Sequence, residues 1–453
     1  MPGALSTDLY ELTMAAGYHA AGNNALASFE LFVRELPRSR SFLVAAGLEQ
    51  ALAYVRDWRF TQDDVTYLRS LPALSGASPN FFDAYLPGLR FTGDVWAVPE
   101  GVPVFAGEPI LRVTAPLAEA QLVETALLAT VLFQTSVASK AARVVQAAAG
   151  RPVIEFGGRR AHGPEAAVHA ARAAYLGGCQ ATSCVEAGSR FGIPVSGTMA
   201  HSWVMAHADE LTAFTRYTAV HGSRSVLLID TYDTVASARL IVSAGLRPAA
   251  VRLDSGDLAG LSVAVREVLD AGLLQETKIL VSGDLDEHRV ARLVDSGAPI
   301  DGFGVGTAVT TSADAPSLSG VYKLVAIERS GVMAPVAKLS QGKRTFPGEK
   351  QVWRVCRAGE AVRDVIGLAG QPAPPGGEPL LSRVLRRGER TNAPRSVHDM
   401  REDGRSAVAR LPAGVRRLHG ADRFPVDRTV ELSELARRTN RAGGAVSEDV
   451  GTR

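Results

Sequence analysis

The chain has 453 residues, of which 46% are hydrophobic and 21% charged, enough for more than one packed unit. A formal charge of +2 excludes a strong electrostatic pull toward nucleic acid or membrane. Three cysteines (Cys179, Cys184, Cys356) make neither a disulfide framework nor a metal-type spacing, and no basic-then-apolar leader or span-length apolar run stands out, so a soluble cytoplasmic protein is expected.

Residues 7 to 18 read as a capped helix with a stripe of Leu9, Leu12, Thr13 and Ala16. Residues 27 to 33 read as a strand leading into Arg34, and Gly47 to Trp58 as a helix. From Gly93 to Ala115 the apolar period shifts toward two, punctuated by Gly101, Pro103, Gly107 and Pro109, which predicts a small antiparallel β module. Residues 117 to 149 predict one long helix ending at Gly150, too apolar to lie on a surface.

The next stretch is regular. Strands at Pro152 to Phe156, Ile193 to Val195, Val226 to Ile229, Ala249 to Leu253, Lys278 to Val281 and Gly302 to Val305 alternate with helical segments, which argues for a parallel sheet or barrel. Glu155 with Arg159, Thr198 with His201, Asp230, Asp254, Gly283 with Asp284, and Gly304 with Gly306 fall at or just past successive strand ends. One polar strand end is routine loop chemistry. Six in a row point to a ligand-binding rim, because parallel strands carry their C-terminal ends to one side.

The residue types suggest the ligand. Gly283, Gly304 and Gly306 can offer backbone N–H groups to a phosphate, although any one of them alone reads as an ordinary turn glycine. Asp230, Asp233, Asp254 and Asp257 suit ribose hydroxyls, or Mg²⁺ held partly through substrate phosphates; no all-protein metal cage is visible. Arg159 and Arg252 match a carboxylate, and Phe156 offers a flat stacking face. After a return to β structure at 321 to 327 comes a basic loop with Lys338, Lys343, Arg344 and Lys350. A short strand at 352 to 356 and a weak helix near 405 to 411 follow, and residues from about 438 read as a disordered tail.

Several motifs together resemble nicotinate phosphoribosyltransferase. They are Thr7-Asp8-Leu9-Tyr10, Glu155-Phe156-Gly157-Gly158-Arg159-Arg160, Gly197-Thr198-Met199-Ala200-His201-Ser202, Ile229-Asp230-Thr231-Tyr232-Asp233, Val251-Arg252-Leu253-Asp254-Ser255-Gly256-Asp257 and Gly304-Val305-Gly306-Thr307. The resemblance implies an α/β fold: the irregular α/β barrel of type II phosphoribosyltransferases, with a smaller β-rich α+β domain. It divides the chain into 1–135 (N-terminal helix and β-rich domain), 136–335 (barrel with the active site), 336–437 (basic loop and C-terminal segment packing on the N-terminal domain) and the 438–453 tail.

The implied activity joins nicotinate to 5-phosphoribosyl 1-diphosphate in NAD salvage, coupled to ATP with Mg²⁺, in a homodimer with shared active sites. His201 matches the family's phosphorylated histidine. Phe156 and the partner subunit's Tyr10 match its base-stacking pair, and Thr198 and Arg252 match base contacts. Thr307, Arg34 and Arg159 match phosphoribosyl, diphosphate and base positions, with Gly283, Asp284, Gly304, Gly306, Lys338 and Lys343 completing the phosphate sites. Asp254 and Asp230 are expected to assist electrostatically, Asp230 also orienting the His201 imidazole. Ser183 stands where nicotinamide-using relatives carry Asp, which favours the acid as substrate. Cys184 and His162 depart from the usual Asn and Gln. The rival readings are a nicotinamide-specific enzyme and a non-catalytic metabolite-binding barrel; an aldolase lacks a strand-end Lys.

Overall fold

The computed structural model describes residues 3–338 and 345–448. The chain forms two compact units: Ser136–Pro316 with Ser396–Glu402, and the remainder.

The first of these holds a six-stranded, all-parallel sheet in the order Ala181–Thr182, Val153–Glu155, Gly302–Val305, Lys278–Val281, Ala250–Leu253, Val226–Leu228. Helices Pro164–Leu176, Thr234–Ser243, Leu258–Ala271 and Glu287–Asp295 alternate with the strands. The strands read as short apolar runs because both faces are covered; Val251, Leu253, Ile279, Val281, Phe303 and Val305 are all buried. The outer strands do not pair with each other, so the sheet curls into a half-barrel. Ile193 to Val195 contributes one parallel bridge, Thr182 with Val195, in place of a full strand. The segment Ser396–Glu402 docks on this unit: Tyr175 Oη lies 2.7 Å from His398 Nδ1, and Arg401 donates to the Gly178 carbonyl at 2.9 Å.

In the other unit a seven-stranded sheet runs in the order Val332–Pro335, Gly320–Arg329, Leu26–Val33, Pro109–Pro116, Asp94–Ala97, Ser382–Arg386, Glu389–Arg390. Its ladders are antiparallel. Residues 317–335 therefore belong here and not to the barrel unit, where the sequence division put them. Strand Gly320–Arg329 pairs along its length with Leu26–Val33, and the Phe29 and Tyr322 rings stack at 4.9 Å. A four-stranded sheet (Gly377–Pro379, Lys350–Arg357, Glu360–Leu368, Val426–Arg428) completes the unit. Its core joins Leu12, Phe29, Leu31, Trp58, Phe81, Val113 and Tyr322.

Two expectations change. The long helix is broken at Val123 into Leu117–Leu122 and Glu124–Ala147. By length and composition the run Leu117–Ala147 is apolar enough to cross a membrane, contrary to the sequence reading, but 67% of its most apolar window is buried inside the protein. The chain is also helical over Val430–Glu448, so an unstructured tail does not begin at 438; Leu435, Ala436, Arg437 and Arg438 are strong helix formers.

Candidate active site

Because all six strands of the half-barrel are parallel, the loops after Glu155, Thr182, Leu228, Leu253, Val281 and Val305 emerge on one edge. All but the loop after Leu228 contribute to the wall of a cavity of about 460 Å³. Phe156, Arg159, Ser183, Thr198, Arg252, Asp254, Gly283, Asp284, Gly304, Gly306 and Thr307 all line it, joined by Arg160, Met199 and Ser282.

Arg252 organises the wall. Its Nε donates to Ser282 Oγ (2.7 Å), Nη1 to Thr198 Oγ1 (2.7 Å) and Nη2 to Asp254 Oδ1 (2.6 Å). Its guanidinium carbon stands 5.6 Å from the centre of the Phe156 ring. The Ser282 hydroxyl also bonds to Asp254. The parallel register causes this: Leu280 pairs with Arg252 and Val281 with Leu253, so Ser282 arrives beside Asp254. Burial disfavours a charged Asp254. Hydrogen bonds from Ser282 and Arg252, with the charge of Arg252, outweigh burial and hold the carboxyl below the usual carboxylate range.

The glycines divide by role. Gly283 has φ +92°, and any Cβ there would strike the Asp254 carbonyl. The next residue, Asp284, is also left-handed, at φ +46°. The two form a tight turn with an exposed carboxylate at the cavity wall. At Gly304 the constraint is the Phe156 ring, against which a Cβ would sit 2.5 Å from Cδ2. Gly306 precedes the short helix Thr307–Thr310, whose first residue is exposed into the cavity.

Other strand-end residues serve the frame. Glu155 is buried and accepts from Thr182 Oγ1 (2.6 Å), Thr310 Oγ1 (2.7 Å) and the Gly157 amide, tying three loops together. Asp233 caps helix Thr234–Ser243 through the Ala236 amide at 2.8 Å.

His201 opens helix His201–Met205 beside Ala200, which lines the cavity, but is not itself a lining residue. Its Nδ1 is 3.2 Å from Thr231 Oγ1 and its Nε2 3.9 Å from Asp254 Oδ2. Asp230, expected to orient this ring, does not touch it. Its Oδ2 accepts instead from the Asp254 amide (2.9 Å) and the Ser255 hydroxyl (2.7 Å), and Oδ1 is buried without a partner among the described residues.

Tyr10, Arg34 and Lys338 belong to the β-rich unit and do not line this cavity. Tyr10 is 46% exposed on its helix. Arg34 lines a separate cavity of about 230 Å³ with Arg428 and Phe346. Lys338 is exposed, and Lys343 lies outside the described residues. Lys350, counted in the basic loop, is buried: its ammonium bonds Glu30 and the Phe346 and Gly348 carbonyls, each at 2.8 Å.

Arg160, Ser282 and Thr231, which had no site role in the sequence reading, each adjoin a residue that did: Arg160 and Ser282 line the cavity, and Thr231 meets His201.

Residues 5–132 match the nicotinate phosphoribosyltransferase (NAPRTase) N-terminal domain, and residues 152–352 match the NAPRTase family. The chain belongs to the nicotinate phosphoribosyltransferase family. A nicotinate phosphoribosyltransferase of Mycobacterium tuberculosis is 44% identical over 447 residues, covering 96% of this chain and 94% of the relative. One from Bacillus subtilis is 47% identical over 362 residues, covering 78% and 73%. The crystal structure of human nicotinic acid phosphoribosyltransferase superposes with a TM-score of 0.83 at 31% identity, covering 95% of this chain and 99% of that one. Family membership and a parallel half-barrel with a separate β-rich unit agree with the sequence reading.

Proposed function

We propose that this protein transfers the 5-phosphoribosyl group of 5-phosphoribosyl 1-diphosphate to nicotinate, giving nicotinate mononucleotide and diphosphate in NAD salvage. The observation that carries the reading is the Arg252 guanidinium, joined to Thr198 and set beside the Phe156 ring, in a cavity that also contains the Gly283-Asp284 and Gly306-Thr307 turns. A planar aromatic carboxylate and a sugar phosphate would use these groups together.

In this reading Phe156 stacks on the pyridine ring, while Arg252 and Thr198 hold its carboxylate. The backbone and hydroxyl groups of the two turns hold the 5-phosphate. Arg159 and Arg160 supply positive charge at the base and phosphate end. Reaction proceeds by attack of the pyridine nitrogen on ribose C1 as diphosphate leaves. Positive charge develops on the ribose, and the ionised Asp254 stabilises it. Positioning supplies much of the rate, because the two reactants are held in one cavity. Ser183 takes part in acid selection: its hydroxyl can donate to a carboxylate without repelling it.

ATP and Mg²⁺ enter as further parts of the proposal. His201 accepts the γ-phosphate of ATP, and hydrolysis of the phosphohistidine is linked to turnover. In this reading the ion would be held chiefly through substrate phosphates. Asp284 is the exposed carboxylate at the cavity wall suited to assist. Mg²⁺ would neutralise charge on the leaving diphosphate. We read the working unit as a homodimer in which Tyr10 of the partner subunit covers the base, with Arg34, Lys338 and Lys343 contributing to diphosphate binding. The exposed Leu9, Tyr10 and Met14 on the N-terminal helix support a docking role for it. Cytoplasmic location is part of the same reading.

Product analysis with nicotinate and nicotinamide, each with and without ATP, tests it. Mononucleotide from nicotinate, stimulated by ATP, is expected. Preference for nicotinamide would replace the substrate, and no nucleotide product would leave a binding protein. His201→Ala should abolish ATP stimulation and keep basal transfer; unchanged ATP coupling would remove His201 from the role.

A further inference from the structure

His201 is 40% exposed at its side chain, so packing alone does not fix its ring. The Asp230 carboxylate is engaged by the Asp254 amide and the Ser255 hydroxyl. Two groups from adjacent loops reach the imidazole instead: the Thr231 hydroxyl, 3.2 Å from Nδ1, and the Asp254 carboxylate, 3.9 Å from Nε2. A hydroxyl can donate or accept, so the second neighbour decides the tautomer. A negative charge facing Nε2 favours the proton on Nε2, and the hydroxyl then donates to the lone pair of Nδ1. Thr231 lies immediately after strand Val226–Leu228 and Ile229-Asp230, and Asp230 is itself bonded to the neighbouring loop, so the hydroxyl is carried on a braced segment.

We propose that Thr231 is the positioning residue of His201: its hydroxyl holds Nδ1, sets the ring rotamer and keeps the neutral imidazole in the Nε2–H form facing Asp254. The inference rests on the reading of His201 as the phosphate acceptor. The step it prepares is balanced. The Nδ1 lone pair attacks the γ-phosphorus and forms an N–P bond. The bond from that phosphorus to the bridging oxygen breaks, and ADP leaves with the electron pair. The Nε2 proton stays in place, and Asp254 faces the resulting positive ring. In hydrolysis water attacks phosphorus, the N–P pair returns to Nδ1, and inorganic phosphate departs. The Thr231 hydroxyl turns from nitrogen to a phosphoryl oxygen in the first half and back in the second.

The test compares wild type, Thr231→Ser and Thr231→Val in the full-length protein. Nitrogen-15 spectra of histidine-labelled protein, assigned by loss of the His201 signal in His201→Ala, report the tautomer directly. Wild type and Thr231→Ser should show the Nε2–H form, and Thr231→Val a mixture. ATP-stimulated turnover should fall roughly threefold to tenfold in Thr231→Val and be restored by Thr231→Ser, as expected for one lost hydrogen bond. Should the Val variant not fold, Thr231→Ala takes its place, with thermal melting as the check. An unchanged tautomer and unchanged ATP stimulation in a folded Val or Ala variant would overturn the proposal. If wild type forms no acid-labile phosphate on His201 with ATP, the phosphohistidine reading fails, while the tautomer comparison still decides the role of Thr231.

Discussion

The Phe156 ring rests against the backbone of Gly304, where a Cβ would come within 2.5 Å of ring carbon Cδ2. The glycine thus serves the stacking face. Gly304→Ala should displace the ring and raise the KM for nicotinate roughly tenfold, as overpacking and lost stacking each amount to about 1 kcal/mol or more. Steady-state kinetics at saturating phosphoribosyl diphosphate check this. An unchanged KM would mean that the base does not lie on Phe156.

Ser183 lines the same cavity, held by its amide on the Glu155 carbonyl at 2.9 Å. Ser183→Asp should lower kcat/KM for nicotinate on the order of a hundredfold, because two carboxylates would face each other. Use of nicotinamide should rise relative to nicotinate. Competition between the two bases, read by product ratio, decides the outcome.

Glu287 begins the helix after the Gly283-Asp284 turn and is fully buried, with Lys140 at 2.5 Å and Arg143 at 2.9 Å. Burial opposes its charge, but hydrogen bonds and charge from Lys140 and a hydrogen bond from Arg143 hold the carboxyl below its usual 4.5. Its stabilising effect is therefore present above about pH 4.5 and lost as pH falls through the lower folded value. Lys140→Met leaves that charge half-paired and should cost about 3 kcal/mol in chemical denaturation. Lys140→Met combined with Glu287→Gln should recover part of the loss.

Glu108 shows the opposite sign. Burial, then the nearby Asp364 carboxylate, pushes it well above the usual range despite Arg354. The folded protein keeps this group protonated where an unfolded chain would ionise it. Its contribution is full below about pH 4.5 and is lost as pH rises through the folded value. Glu108→Gln mimics the protonated form without titrating. The Tm difference between variant and wild type should widen in favour of the variant from pH 5 to pH 8, measured by calorimetry. A constant difference would mean that Glu108 does not titrate differently on folding.

Much of this was legible in the chain itself. Short, largely apolar runs leading into Asp254, Ser282 or Gly306 spelled out βα units, because parallel strands covered on both faces need mostly apolar sequence and place most of their polar residues at or near the ends. The strand-end pattern and the residue types beside it picked out Phe156, Arg159, Thr198, Arg252, Asp254, Gly283, Asp284, Gly304 and Gly306 on the cavity wall, whereas Ser183 and Thr307 came with the family resemblance. Strand Gly320–Arg329 was misassigned because its apolar pattern does not name its pairing partner, which lies about 300 residues earlier in Leu26–Val33.

Side-chain partnership was settled only in three dimensions. Glu155 and Asp233 carry the same charge and stand at the same kind of strand end as Asp254, yet they tie loops and cap a helix. Lys350 belongs by composition to a basic loop, yet its ammonium is buried against Glu30. Asp230 and Thr231 are consecutive residues, and only the loop path decides that the hydroxyl, not the carboxylate, reaches His201. Periodicity and residue type determine which segments become strands, helices and rims, since those depend on local backbone preference and burial. Which polar group meets which depends on distances of a few ångströms between segments far apart in the chain, and only the tertiary structure sets those.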